Sequence, residues 1–150
     1  MSSSGATICE IAVSPPVVAL RHVQAASEPS SSNRHALALQ GFFGIAQRWG
    51  LDNETARVLL GSPPERTFFE WKRGRVGRLP EDTLRRIGYL AGIWKALEIL
   101  YSDPGLADGW VRRPNEHFGG QTALERMAAG DVTDLAAVRT YLDAARAPWS

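Results

Sequence analysis

Residues 53–74, NETARVLLGSPPERTFFEWKRG, decide the fold. Asp52 or Asn53 can cap a short helix whose apolar positions Ala56, Leu59 and Leu60 share one face, and Gly61 stops it. Ser62-Pro63-Pro64-Glu65 then reads as a capping box with proline at the first helical position, opening a second helix. That helix holds Phe68, Phe69 and Trp71 and frays at Gly74. Lys72, Arg73, Arg75 and Arg78 follow with no acid among them. Two helices joined by so tight a turn, the second running into positive charge, predict a helix-turn-helix. In such a unit the second helix enters the major groove of a duplex.

Working outward, helical periodicity continues on both sides. Upstream, Leu37, Leu39, Phe42, Phe43, Ile45, Ala46 and Trp49 recur at three and four from Ala36 onward, and Gly50 ends the run. Downstream, Pro80-Glu81-Asp82 starts a long helix with acids in its first turn, favourable to its dipole. Leu84, Ile87, Leu90, Ala91, Trp94, Leu97 and Tyr101 give it one broad apolar face, wider than a small domain needs and a candidate dimer seam. Asp103-Pro104-Gly105 ends that helix. A short one follows to Val111, and Pro114-Asn115 breaks the chain. Thr122-Ala123-Leu124-Glu125 is a second capping box, starting a helix that ends at Gly130. Asp131 or Thr133 opens the last helix, with Leu135, Val138, Tyr141 and Leu142 at core spacing. No strand-like alternation occurs after residue 35, so the expected class is all-α, in two parts: a helix-turn-helix region at 36–101 and a small helical domain at 102–150. Residues 1–35, rich in Ser, Ala, Pro and Val, bury too little to offset the entropy of ordering and read as a flexible arm. A strand or docking patch at Ile8–Val13 or Val17–Val23 is the alternative.

Charge refines this. The chain of 150 residues has a formal net charge of only +1, with 17 basic and 16 acidic residues. Non-specific coating of nucleic acid asks for far more. Residues 36–101 hold ten Lys/Arg against seven Asp/Glu, whereas 102–150 hold five against seven. The middle is thus the candidate for phosphate contact and the end for a protein partner. The one cysteine, Cys9, fits a reducing compartment. No apolar run reaches membrane-span length and no secretory signal opens the chain, so the expected location is cytoplasmic.

Nothing points to catalysis. His22, His35 and His117 with Cys9 lack metal-ligand spacing. No nucleophile has a base in motif register, and no glycine loop is built to cradle phosphate. Gly119-Gly120 reads as a tight turn, and Glu81-Asp82 as helix-start charge. No catalytic residue, metal or cofactor is therefore expected. Function must lie in surfaces. Phe68, Phe69 and Trp71 read as core, which turns Arg66, Thr67 and Glu70 toward base edges. Lys72, Arg73, Arg75 and Arg78 would neutralise phosphates. A merely solvated basic loop is the competing reading. Near the other end, Trp149 lies beyond a helix-breaking proline, the kind of aromatic that anchors interfaces, unless it folds back toward Trp110.

Two stretches resemble a known family. Leu59-Leu60-Gly61-Ser62 with Arg66-Thr67-Phe68-Phe69-Glu70-Trp71-Lys72-Arg73-Gly74 resembles the helix-turn-helix of MbcA/ParS/Xre-type antitoxins. Gly109-Trp110-Val111-Arg112-Arg113-Pro114-Asn115 with Phe118-Gly119-Gly120-Gln121-Thr122-Ala123-Leu124 is similar to the opening of that family's toxin-binding domain. With the closing helix at Asp134–Ala145, the likeness covers residues 36–150. It implies an antitoxin of a type II pair whose partner is a RES- or ParT-type toxin that consumes NAD or transfers ADP-ribose. It further implies toxin contact through Trp110, Arg112, Asn115, Arg139 and Tyr141, with Arg146, Pro148 and Trp149 plugging the toxin's NAD site. Promoter DNA would be the second partner, bound by a homodimer within a hetero-oligomeric complex. The rival readings are a regulator without a toxin, and a toxin-binding module that has lost DNA affinity.

Overall fold

A computed structural model describes residues 31–146. Most of the expected arm, residues 1–30, and the tail Ala147-Pro148-Trp149-Ser150 lie outside the described residues. Seven α-helices follow one another among them: α1 (Ser31–Arg48), α2 (Asn53–Leu59), α3 (Glu65–Lys72), α4 (Glu81–Leu100), α5 (Pro104–Gly109), α6 (Ala123–Met127) and α7 (Val132–Arg146). Two single 3₁₀ turns, Trp110–Arg112 and Glu116–Phe118, sit between α5 and α6. No strand occurs among the described residues, and the all-α expectation holds. An isolated antiparallel bridge between Pro114 and Thr122 closes the intervening loop.

Helix α1 includes Ser31–His35, ahead of the expected Ala36, so the last residues of the expected arm are helical. Tertiary anchoring is the reason. The Nδ1 of His35 accepts a 2.9 Å hydrogen bond from the Leu79 amide, which places the ring's own proton on Nε2. Leu39, Phe42, Ala46 and Trp49 then point inward from α1 and its end.

Helix α4 is the spine. It packs most extensively on α7 and next on α1. Its buried stripe is Thr83, Arg86, Ile87, Leu90, Ile93, Ala96 and Leu97. That is a rotation from the expected face: Leu84 and Trp94 are only half-buried, and Ala91 is exposed. A 20-residue helix clasped from two sides by α1 and α7 has a core face wider than one stripe, which apolar spacing alone cannot orient.

The caps explain where the shorter helices start. Asp52 accepts from the Thr55 amide at 2.8 Å and opens α2. Asp103 accepts from the Gly105 amide and, with Pro104 at the first helical position, starts α5. Thr122 and Glu125 form the expected capping box, each side chain accepting from the other's amide, at 3.0 and 3.2 Å. Asp131, rather than Thr133, opens α7, its carboxylate accepting from both the amide and the hydroxyl of Thr133 at 2.9 Å.

The expected capping box at Ser62 does not form. Ser62 adopts the left-handed conformation with φ 56°, and its amide donates to the Arg57 carbonyl at 3.0 Å to finish α2. The residue is spent closing one helix and cannot cap the next. Helix α3 instead begins after Pro64, with no side-chain cap.

Candidate functional site

The helix-turn-helix unit is held at its turn by three independent ties. Gly61 lies at φ 100°, and a Cβ there would stand 3.1 Å from both the Arg86 Nε and the Asp82 carboxylate. Thr83 donates its buried hydroxyl to the Leu60 carbonyl at 3.4 Å. Arg57 grips Glu54 through two nitrogens and donates to the Pro63 carbonyl at 2.8 Å through the third. These ties fix α3 relative to α2 and to the start of α4.

Within α3, Phe68 and Trp71 face the core, joined edge-on to Phe43 of α1 through Phe68 (centroids 5.6 Å apart). Phe69 does not join them. It is 37% exposed and meets only the edge of Phe68 among ring contacts, because residues one apart on a helix cannot share a face. The outer surface therefore carries Arg66, Phe69 and Arg73, with Thr67 half-buried beside them.

The predicted cations are not equivalent. Arg66 and Arg78 are exposed and make no hydrogen bond or ion pair with any described residue. Lys72 donates to the Asn53 side chain. Arg73 and Arg75 both turn to Glu70, at 3.6 and 3.1 Å. Glu70, expected to face base edges, instead has its carboxylate engaged with two neighbouring arginines.

The second surface is built on α7 and the loop before α6. Tyr141 is its hub. Trp110 stacks on it at 6.0 Å and 19°, Phe118 meets it edge-on, and the exposed His117 lies 4.6 Å from it. Trp110 itself is buried, and Asn115 spends its side chain capping the His117 amide at 2.9 Å. Arg112 reaches back to the end of α1, donating to the Trp49 and Gly50 carbonyls at 3.0 and 2.7 Å. Arg139 pairs with Asp143 and lies across the backbone of α4 at Gly92. Arg146 is exposed at the last turn of α7. Pro148 and Trp149 fall outside the described residues. Of the candidate toxin-contacting residues, Tyr141 and Trp110 are brought together, while Arg112 serves as a staple between segments.

Two structural residues escaped the sequence reading. Arg86 is 8% exposed, donating to Asp82 at 2.8 Å and to the Gly130 carbonyl at 3.0 Å, with its third nitrogen buried and unpartnered. It joins the helix-turn-helix turn to the start of α7. The signal was available: a charged residue on an apolar helical stripe, four residues after an acid. Gly92, where Arg139 crosses, offered none. Among the described residues no three His, Cys, Asp or Glu side chains gather in a metal-binding group, and no helix is long and apolar enough to cross a membrane.

Two family models match the chain. Residues 28–92 match the model of the antitoxin Xre-like helix-turn-helix domain. Residues 96–147 match the antitoxin Xre/MbcA/ParS C-terminal toxin-binding domain. The boundary between the two falls inside α4, the helix on which both surfaces rest. The chain is also 47% identical over 124 residues to the uncharacterized protein y4oB of Sinorhizobium fredii (strain NBRC 101917 / NGR234), covering 83% of this chain and 95% of that one. A helix-turn-helix and a toxin-binding domain in this order, on one shared helix, make the chain a member of the Xre/MbcA/ParS antitoxin family.

Proposed function

We propose that this antitoxin neutralises a RES- or ParT-type toxin, one that degrades NAD or transfers ADP-ribose, by filling the toxin's NAD site with its C-terminal segment. The supporting observation is the form of α7. Its inner face anchors it on α4 through Leu135, Val138 and Leu142, while its last turn ends at an exposed Arg146. A helix seated on the core as far as Leu142, with Ala144, Ala145 and Arg146 exposed after it, is suited to deliver the residues that follow into another protein's cavity. Arg146 would supply a cation for acidic or phosphate-recognising groups, and Pro148 and Trp149 a rigid aromatic anchor. Inhibition is then steric, and no group on the antitoxin need react.

The same reading gives α3 to promoter DNA, with Arg66 and Thr67 at base edges and Lys72, Arg73, Arg75 and Arg78 on phosphates. One short helix reads few base pairs, so paired half-sites and a homodimer are required for useful specificity. The groove between α1 and α4 supports the dimer. Its volume is about 620 Å³, and Leu37, Ile45, Leu84 and Trp94 line it together with Gly41, Gly44 and Gly88. A Cβ at any of these three glycines would meet nothing within 4 Å among the described residues, which give no packing reason for them. Each lowers helix stability by roughly 0.5–1 kcal/mol, which close approach of a second backbone would offset.

The decisive experiment is removal of residues 147–150, followed by assay of NAD turnover by the cognate toxin. The truncated protein is expected to retain its helical spectrum and lose inhibition. Full inhibition by the truncated protein would remove the tail from the mechanism.

A further inference from the structure

We propose that Glu70 stands in for DNA phosphate, holding Arg73 and Arg75 until a duplex displaces it, and so suppresses binding to random sequence. The inference rests on the DNA-binding reading of α3.

Both oxygens of Glu70 are in use: Oε1 faces the Arg73 guanidinium at 3.6 Å and Oε2 the Arg75 guanidinium at 3.1 Å. The arrangement is set by the backbone. The Arg75 amide donates to the Glu70 carbonyl at 2.9 Å, and Gly74, at φ 89°, lets the chain curl back to make that bond. Arg75 is therefore returned to the level of Glu70 wherever its side chain points. Glu65, the other acid of α3, has no ion-pair partner among the described residues, and Arg66 and Arg78 have no acid. The pairing is confined to one carboxylate and two arginines at the end of the helix.

A carboxylate and a phosphodiester offer a guanidinium the same pair of anionic oxygens. A duplex can claim Arg73 and Arg75 only by displacing Glu70, whose charge is then left facing phosphates. At the proper site, contacts from Arg66 and Thr67 to base edges offset that loss. On random sequence nothing does. Arg66 and Arg78 meanwhile supply attraction that no acid holds back. The device lowers non-specific affinity more than specific affinity, as suits a chain of net charge +1 that must find one promoter.

The test uses the full-length protein and fluorescence anisotropy on two duplexes, its own upstream DNA and a shuffled sequence, over a range of salt. Glu70→Gln is expected to raise affinity for the shuffled duplex by about tenfold and for the promoter by less. The salt dependence on the shuffled duplex should steepen by up to about two units, near 0.9 for each arginine released. Glu65→Gln removes the same charge from the same helix without touching the pairing, and should change little. Adding Arg75→Ala to Glu70→Gln should cancel most of the gain. An equal gain from Glu65→Gln, or no gain from Glu70→Gln while wild type still binds its promoter, would overturn the proposal and leave the DNA-binding reading intact. Wild-type protein that ignores every duplex would sink both.

Discussion

At Gly92 the backbone of α4 makes room for an arginine. A Cβ at this position would collide with the guanidinium of Arg139, which lies across the helix from α7. The obstacle is the far end of a flexible side chain, so Gly92→Ala should move Arg139 and leave α4 in place. Helix propensity then favours the alanine by up to about 1 kcal/mol. Thermal unfolding is expected to be unchanged or a few degrees higher; a clear loss would show that the arginine's seat is structural. Gly61 behaves oppositely. Its φ of 100° is strained for any L side chain, and a Cβ there would stand 3.1 Å from both Asp82 and Arg86, so Gly61→Ala should cost on the order of 1–3 kcal/mol in urea unfolding. Acid probes the caps. Hydrogen bonds from Thr55 hold the Asp52 carboxyl below its ordinary range, and bonds from the amide and hydroxyl of Thr133 do the same for Asp131. A depressed folded-state value means stability that is fully present above the unfolded-chain value near 4 and lost as pH falls through the lower one. Unfolding midpoints should therefore decline below about pH 4, and Asp52→Asn with Asp131→Asn should flatten that decline.

At the scale of elements, caps and aromatic spacing set what could be read in advance. The box at Thr122 and Glu125 depends on two side chains three residues apart, so it is visible in the chain and present in the fold. Thr122→Ala should cost about 1 kcal/mol and loosen α6, the short helix it starts, which amide exchange would register first. Ser62 had the same local credentials and failed, because its backbone was needed to close α2. Helix α3 divides likewise. Phe68 is buried in contact with Phe43 of α1, and Phe68→Ala should cost about 3–5 kcal/mol. Phe69, its neighbour on the chain, stands 37% exposed and is not a core residue. Phe69→Ala is accordingly expected to be mild, and the difference between the two is measurable by equilibrium denaturation.

For the whole molecule, α4 is the common support. The helix-turn-helix turn is bonded to it through Thr83 and packs at Gly61 against Arg86, and α7 packs along it. The outward side of α1 and α4 is where a second copy would dock, with Leu37, 59% exposed, at the rim of the groove. Sedimentation at micromolar concentration should report a dimer. Gly44→Phe should shift it to monomer with little change in thermal stability, since a Cβ added there meets nothing within 4 Å among the described residues. A wild-type monomer would contradict the dimer.

Local patterns determined the helices, the caps at Asp52, Thr122 and Asp131, the tight turn and the basic exit of α3, because each depends on residues a few positions apart. The two stretches that resemble the antitoxin family were legible for the same reason. Tertiary structure alone decided the remainder: which face of α4 is core, that Ser31–His35 are helical under the hold of His35 on Leu79, and that Arg86 and Arg112 act as staples across the molecule. It also decided that Glu70 engages Arg73 and Arg75. Such roles depend on which groups meet once the chain has closed on itself, and a guanidinium that caps a distant helix is indistinguishable in sequence from one that waits for a partner.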